Sequence, residues 1–385
     1  MRIIPAGLLV CVSLLTVASG CVRFSAPAEV HRVGHVAPRT GPDQAVGLRE
    51  GEAVAMTVEE FNVGDNNKIK DKPVSVIHGD AGPDLDGFGF QATRLLSVNH
   101  VEALLGATTA AQLDKLAAAA QAGQVALVSP CGGNGGSLNK LVYSVGLDPR
   151  ERGRCLAKYA AEDGKVREIA TVTSINHPVY AAVAEGFTKE FQHPDRKTAA
   201  EYVYRNPNEL NDIANRLAAA KTPAVFFAGP VADLLTLRKG LKDVPLFLGG
   251  EEDEPTLRLS ADQSEGVVFA TAFTLDAQRG KSGDFVRKFR SRYQQQTPEA
   301  DDMLSADAAQ VLFDAAKKAG TFEAVSRSEK DPNLRRDGLA KVEDYQCLTG
   351  PFWFTPEQTA RRPVFVVRMH AGKSQLLKDY APEKK

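Results

Sequence analysis

Three glycine-bearing polar loops follow apolar runs, and they hold the residue types best suited to meeting a small ligand. Thr108 and Thr109 close the turn Gly106-Ala107-Thr108-Thr109, just before an Ala- and Leu-rich stretch. Hydroxyls at such a place cap a helix, and the backbone N–H groups of a helix start attract carboxylates or phosphates. The loop Ser129-Pro130-Cys131-Gly132-Gly133-Asn134-Gly135-Gly136 has four glycines in eight residues, which lets backbone come close to a ligand. Ala37-Pro38-Arg39-Thr40-Gly41 is the third. Each also has a purely structural reading, as a helix cap for the threonines and a flexible connection for the glycines.

Bond-making chemistry leaves no comparable trace. There is no Gly-x-Ser-x-Gly elbow for a nucleophile. Gly372-Lys373-Ser374 resembles the end of a phosphate loop, but Val367 stands where that motif needs glycine. Gly87-Phe88-Gly89-Phe90 lacks the third glycine of a dinucleotide fingerprint. Asp80, Asp84 and Asp86 before Gly87 suggest a calcium loop, yet that register puts Gly82 where the first carboxylate belongs. The histidines His31, His35, His78, His100, His177, His193 and His370 form no His-Glu-x-x-His pair. The chain reads as a binder and not an enzyme, with no cofactor and no metal expected.

These loops need a frame. Short β-rich runs alternate with helical stretches: Val33–Val36 then Val46–Phe61, Val74–Ile77 then Gln91–Leu96, Val101–Leu105 then Ala110–Ala122. The run Val125–Val128 enters the glycine loop, and Leu141–Ser144 opens a second series. That series runs helix Glu151–Ala161, strand Glu168–Thr173, helix Val179–Phe191, strand Ala200–Tyr204, helix Leu210–Ala220, strand Ala224–Phe227 and helix Ala232–Lys239. Such alternation predicts parallel sheets with crossover helices. Uninterrupted apolar runs such as Ala224-Val225-Phe226-Phe227 suit strands covered on both faces. Near the end, Pro351–Phe354 and Val364–Val367 flank a polar turn and predict a hairpin.

At roughly 150 residues per domain, 385 residues predict two to three domains. Hydrophobic residues are 43% and charged residues 25%, values that exclude wholesale disorder and a multi-span membrane protein. Lys plus Arg is 47 against Asp plus Glu 48, a balance that argues against nucleic acid as partner.

Met1 and Arg2 precede the apolar run Ile3–Val17 and then Ala18-Ser19-Gly20-Cys21. A short positive start, an apolar stretch and small residues before a cut form a secretory signal. Its ending resembles a bacterial lipobox, in which the cysteine becomes the lipidated first residue, with Ala18 in place of the preferred leucine. Residues 1–20 are therefore expected to be a signal segment, Cys21 the lipidation site, and 21–29 a tether. This places the mature chain outside the cytoplasm, in the periplasm or at the cell surface, and anchored to a membrane. Cys11 leaves with the signal, and Cys131, Cys155 and Cys347 are expected to be buried thiols.

In combination these residues resemble the type I periplasmic binding proteins, in the branch that binds branched-chain amino acids for ABC transporters. Val33–Gly41 is similar to the family's opening strand with its "Pro-x-Thr-Gly" turn, and Ala53–Asn62 to its "Ala-x-Glu-Glu-Ile-Asn" first helix. Leu105–Thr109 looks like the "Ile-Gly-x-x-Ser" turn, and Val128-Ser129-Pro130 like the strand end before the ligand loop. Gly153–Ala160 matches the helix after the crossover, and Thr349–Phe354 the late "Thr-Gly-x-x-x-Phe" strand. The likeness runs from Val33 to Lys373.

It implies an α/β fold of two doubly wound parallel-sheet lobes joined by three crossing segments. Lobe one is expected to hold residues 30–143 and 275–343, and lobe two 144–274 and 344–385. The implied activity is capture of a small polar solute, an amino acid or amide-like molecule, between lobes that close by hinge motion. The partners would be that ligand and a permease, the protein acting as a monomer. The same fold also serves ligand sensing or assembly without transport. Thr108 and Thr109 occupy the turn that meets a ligand's charged groups. Gly132 and Gly133 stand where the family's loop carries Ala-Thr, so backbone would replace the missing hydroxyl. In lobe two Tyr180 lies one place beyond the family's tyrosine, with Val179 at the matching position. Glu251, after Gly249-Gly250, would meet an ammonium group, unless Glu251–Glu254 is simply a solvated acidic loop.

Overall fold

A computed structural model describes residues 29–63, 69–133, 140–250, 254–330, 338–339, 342 and 345–382. The expected signal segment, Cys21, Asn134 and Glu251 lie outside the described residues. Within them the predicted alternation forms two sheets. The first contains β1 (His31–Ala37), β2 (Val74–Asp80), β3 (Ala103–Gly106), β4 (Ala126–Ser129) and β5 (Val142–Leu147), parallel in the order β5-β4-β3-β1-β2. The second contains β6 (Glu168–Ser174), β7 (Lys197–Tyr204), β8 (Val225–Ala228), β9 (Leu246–Leu248) and β10 (Val268–Thr271), parallel in the order β10-β9-β8-β6-β7. Both β4 and β8 are buried along their whole length, as their apolar runs require.

The first sheet carries α1 (Gln44–Asn62), α2 (Leu85–Ser97), α3 (Ala110–Gly123) and, from further along the chain, α11 (Ala300–Ala319) and α12 (Phe322–Lys330), with α10 (Lys281–Arg292) packed on α1 and α11. The second carries α4 (Pro149–Glu162) and α5 (Pro178–Phe191) on one face. Its other face is covered by α6 (Glu209–Ala219), α7 (Val231–Arg238) and the short α8 (Glu254–Leu259) and α9 (Ala261–Ser264). Cys131, Cys155 and Cys347 are buried thiols. Among the described residues no helix is long and apolar enough to cross a membrane.

The carboxyl-terminal part departs from expectation. Pro351–Phe354 and Val364–Val367 do not pair with each other. Instead β12 (Gly350–Phe354) lies between β11 (Tyr345–Cys347) and β13 (Thr359–Arg361) at the edge of the first sheet beside β5. Then β14 (Val364–His370) joins β10 and β15 (Lys373–Tyr380) in the second. A tight turn reverses the chain early: Thr355 donates its N–H to the Thr359 carbonyl, and Gln358 takes a positive φ of 63°. Arg362-Pro363 then carries the chain across to the other sheet. Residues 144–147 and 345–361, expected in lobe two, thus hydrogen-bond in the first sheet.

Three segments cross between the lobes, one after β5, one after β10 and one between β13 and β14. The first and third are cross-linked. Asp148 caps α4 through the Glu151 N–H and accepts from the Thr359 hydroxyl at 2.7 Å. Arg361 donates to Glu151 at 2.6 Å. Arg362, fully buried, donates to the Val145 carbonyl and to Asp307 of α11 at 2.9 Å.

A second buried polar group lies between α1 and α11. Burial, reinforced by nearby Asp302, pushes the Glu50 carboxyl up to about 8, and one of its oxygens has no hydrogen-bond partner. Burial likewise raises Asp302 to about 6. On β1 and β2, His35 and His78 share a hydrogen bond at 3.0 Å, and burial holds both well towards neutral, His78 at about 4. A carboxyl whose folded pKa is raised destabilises increasingly as pH rises from its ordinary value to the raised one. The buried histidines act oppositely, and only below their ordinary value of about 6.5. Between pH 6.5 and 8 Glu50 therefore dominates, at about 1.4 kcal/mol per pH unit. Thermal unfolding should show the melting temperature falling across that window, and Glu50→Gln should flatten the fall.

Candidate functional site

The loops after β3, β4 and β5 converge with the starts of three helices. After β3, Gly106 takes φ +130°, and a Cβ there would lie 2.2 Å from the Val36 carbonyl oxygen. The following Thr109 caps α3: its hydroxyl accepts the Gln112 N–H at 3.3 Å, and Gln112 Oε1 accepts the Thr109 N–H at 3.3 Å. This is a reciprocal capping box. Gln112 Oε1 also accepts the backbone N–H and the hydroxyl of Thr108.

After β4, the chain is folded back against β5. The Ser129 hydroxyl donates to the Ala107 carbonyl at 2.7 Å and accepts the Cys131 N–H at 3.1 Å. Gly146 donates its N–H to the Cys131 carbonyl. A Cβ on Gly132 would come 2.2 Å from the Leu147 carbonyl oxygen, so glycine is what allows the two segments to touch. After β5, Asp148 and Pro149 start α4, the first as cap and the second at the helix's opening position.

Thr108, Cys131, Gly132 and Gly133 from the first lobe, with Gly146 and Leu147 at the crossing, form one side of a narrow recess. Arg152 of α4 and Val179 of α5 face them from the second lobe, and Asp301 and Leu304 of α11 complete it. Arg152 is only 6% exposed and donates to the Gly250 carbonyl. Its Nη2 would lie 3.6 Å from a Cβ on Gly132, so the guanidinium spans the recess from one lobe towards the other. About 20 Å³ of open space remains, room for about one water molecule. A wider interlobe cavity of about 890 Å³ lies between α1, the second crossing and the β14–β15 turn. The first residues of α11 separate the two, Glu299 and Ala300 on one side, Asp301 and Leu304 on the other.

Two parallel-dominated sheets, crossed three times by the chain and meeting over a polar recess, are the architecture of a clamp. A sequence profile of the periplasmic binding protein family matches residues 31–374. The chain belongs to the periplasmic binding protein family. As such it acts outside the cytoplasm and binds solutes. A leucine-binding protein from Thermotoga maritima superposes with a TM-score of 0.78 at 17% identity, over 92% of this chain and 99% of the other. A branched-chain amino-acid transporter substrate-binding protein from Streptococcus pneumoniae, in complex with isoleucine, gives 0.76 at 18%, over 92% and 100%. A solute-binding protein from R. palustris in complex with benzoate gives 0.71 at 18%, over 92% and 97%. At these identities the likeness establishes the fold alone. A search of curated sequences found no match.

Of the residues singled out in this binding protein's sequence, Thr108, Cys131, Gly132 and Gly133 line the recess. Three others do not. Thr109 faces its own helix as a cap, and the Ser129 hydroxyl is enclosed between Ala107 and Cys131. Tyr180 is buried in the core beneath α5, while Val179 reaches the recess. The helix begins at Pro178, so its 100° step per residue turns neighbours to different faces.

The recess also takes in Arg152 and Asp301, which the sequence reading does not name. Arg152 had a usable signal: four residues after the cap Asp148, it lies on the first turn of a helix that leaves a strand end. Asp301 had none, since only the tertiary fold brings α11 to this place. The Cys131 N–H also donates directly to the Ala107 carbonyl at 3.2 Å, so losing the Ser129 hydroxyl removes bonds but strands neither group. Ser129→Ala should therefore lower the unfolding free energy by only about 0.5–1.5 kcal/mol, measured by denaturant titration.

Proposed function

We propose that this chain is the solute receptor of an ABC transporter, and that the solute is a small carboxylate. The observation that carries the reading is the buried Arg152 guanidinium in an interlobe recess beside Thr108 and the Gly132-Gly133 backbone, where the space as it stands suits the carboxylate end alone and the lobes must part to admit the rest of the solute. A guanidinium fork takes a carboxylate through two parallel charge-assisted hydrogen bonds. The solved relatives give support, because leucine, isoleucine and benzoate, named with them, all carry that group. The work is binding and closure, with no bond made or broken. Ligand favours the closed arrangement to the extent that it binds it better. Asp301, in the same lining, would serve an ammonium group if the solute is an amino acid, a role first expected of Glu251.

The mature protein is read as a lipid-anchored monomer, with residues 1–20 removed and Cys21 acylated. The basis is the sequence Ala18-Ser19-Gly20-Cys21 after an apolar run. One acyl chain gives only reversible attachment, so further acylation is needed for a firm hold.

In a thermal-shift assay, L-leucine, L-isoleucine or benzoate should raise the melting temperature by mass action. Arg152→Gln should weaken the productive solute about tenfold to a hundredfold, the range for losing a hydrogen bond to a charged group. Asp301→Asn should weaken an amino acid and leave benzoate unchanged. Absence of any shift with carboxylates, alongside a clear one with a neutral sugar or amide, would remove the carboxylate assignment. Cys21→Ser should move the chain from the membrane to the soluble fraction, and a variant still held at the membrane would exclude the anchor.

A further inference from the structure

Two polar contacts join the lobes beside the recess, and both use a residue that also caps a helix. His177 is the N-cap of α5: its Nδ1 accepts the Val179 N–H at 3.2 Å. That bond fixes the proton on Nε2, which donates to Asp114 of α3, in the other lobe, at 3.1 Å. Glu299 is the N-cap of α11 and lies in a capping box with Asp302. It also accepts Arg49 of its own lobe at 3.1 Å and Arg258 of the second lobe's α8 at 2.8 Å. Each cap is two residues from a side chain that lines the recess, Val179 in one case and Asp301 in the other.

We propose that these are straps that set the closure equilibrium of the binding cleft, coupling lobe closure to the placement of Val179 and Asp301. The proposal rests on the solute-receptor reading for its effect on affinity, but not for its effect on shape. A strap that forms only when the lobes meet adds to the closed state alone, and apparent affinity falls with the fraction of protein that is closed. Neither strap needs to touch the solute. Asp114 is half exposed and Arg258 42% exposed at the side chain, so each strap is worth only about a two- to fivefold shift. Separate sites multiply when both are lost, giving about tenfold.

The test uses the full chain with Asp114→Ala, Arg258→Ala and the double variant, none of which alters a cap. A fourth variant, His177→Asn, keeps a good capping residue but is too short to reach Asp114. Small-angle scattering without added solute should give a larger radius of gyration for the double variant than for the unaltered protein. L-leucine or benzoate, whichever raises the melting temperature of the unaltered protein, should dissociate about tenfold faster from the double variant. His177→Asn should match Asp114→Ala in both measurements. An unchanged radius of gyration in a folded double variant overturns the proposal. If neither solute binds the unaltered protein, the receptor reading loses its carboxylate while the scattering comparison still decides the straps.

Discussion

Arg362 and Asp307 form an ion pair with no solvent exposure on either side chain, and the two-lobed arrangement depends on it. Arg362 sits in the third crossing, Asp307 in the middle of α11, and the same guanidinium reaches the Val145 carbonyl of β5 and the Thr349 hydroxyl. Asp307 also accepts the Leu348 N–H at 2.8 Å. Burial pushes the Asp307 carboxyl upward, and the adjacent guanidinium opposes that push. Taking two charges out of water is costly, so this pair is weak evidence for net stability, but deleting one partner would strand the other at a cost of about 3–5 kcal/mol. It gives the pair a positional role: it fastens the crossing to the body of the first lobe, and β5, α11 and the β11–β13 edge are fixed relative to one another through it.

From that anchor the recess follows. The third crossing holds Asp148 through Thr359, Asp148 caps α4, and α4 aims Arg152 across to the glycine loop. Gly133, where the family pattern carries threonine, takes φ +92° and a Cβ there would lie 2.8 Å from the Thr359 methyl, so that position cannot readily carry the hydroxyl. The Arg152 guanidinium, from the second lobe, faces the loop there, and in the proposed reading that one oriented cation takes the place of the hydroxyl.

The frame was legible because it is local. Strands such as Val125–Val128 and Ala224–Phe227, and the helix capped at Thr109, follow from periodicity and capping chemistry within a few residues. The fates of individual side chains were less so. Thr109, Ser129 and Tyr180 have the right chemistry and neighbour the right residues, yet a cap, a buried turn and one helical step turn each away. The false hairpin at Pro351–Val367 has the same origin. Its two apolar runs are equivalent in pattern, but the turn at Thr355–Thr359 pairs the first with β13, and the Arg362–Asp307 pair fastens the crossing that leads the second to the other sheet. Arg152 lies outside the tyrosines and threonines that the family likeness points to, and only the fold puts its guanidinium in the recess.

The tie between the first and third crossings has a mechanical consequence. Asp148–Thr359, Glu151–Arg361 and Arg362–Val145 merge two of the three connections into a single stiff post, and the segment after β10 stands apart as a second. Two bodies joined at two separated points retain one rotation, about the line through both. Twisting and sliding of the lobes are suppressed, so closure would bring the same pair of surfaces together each time.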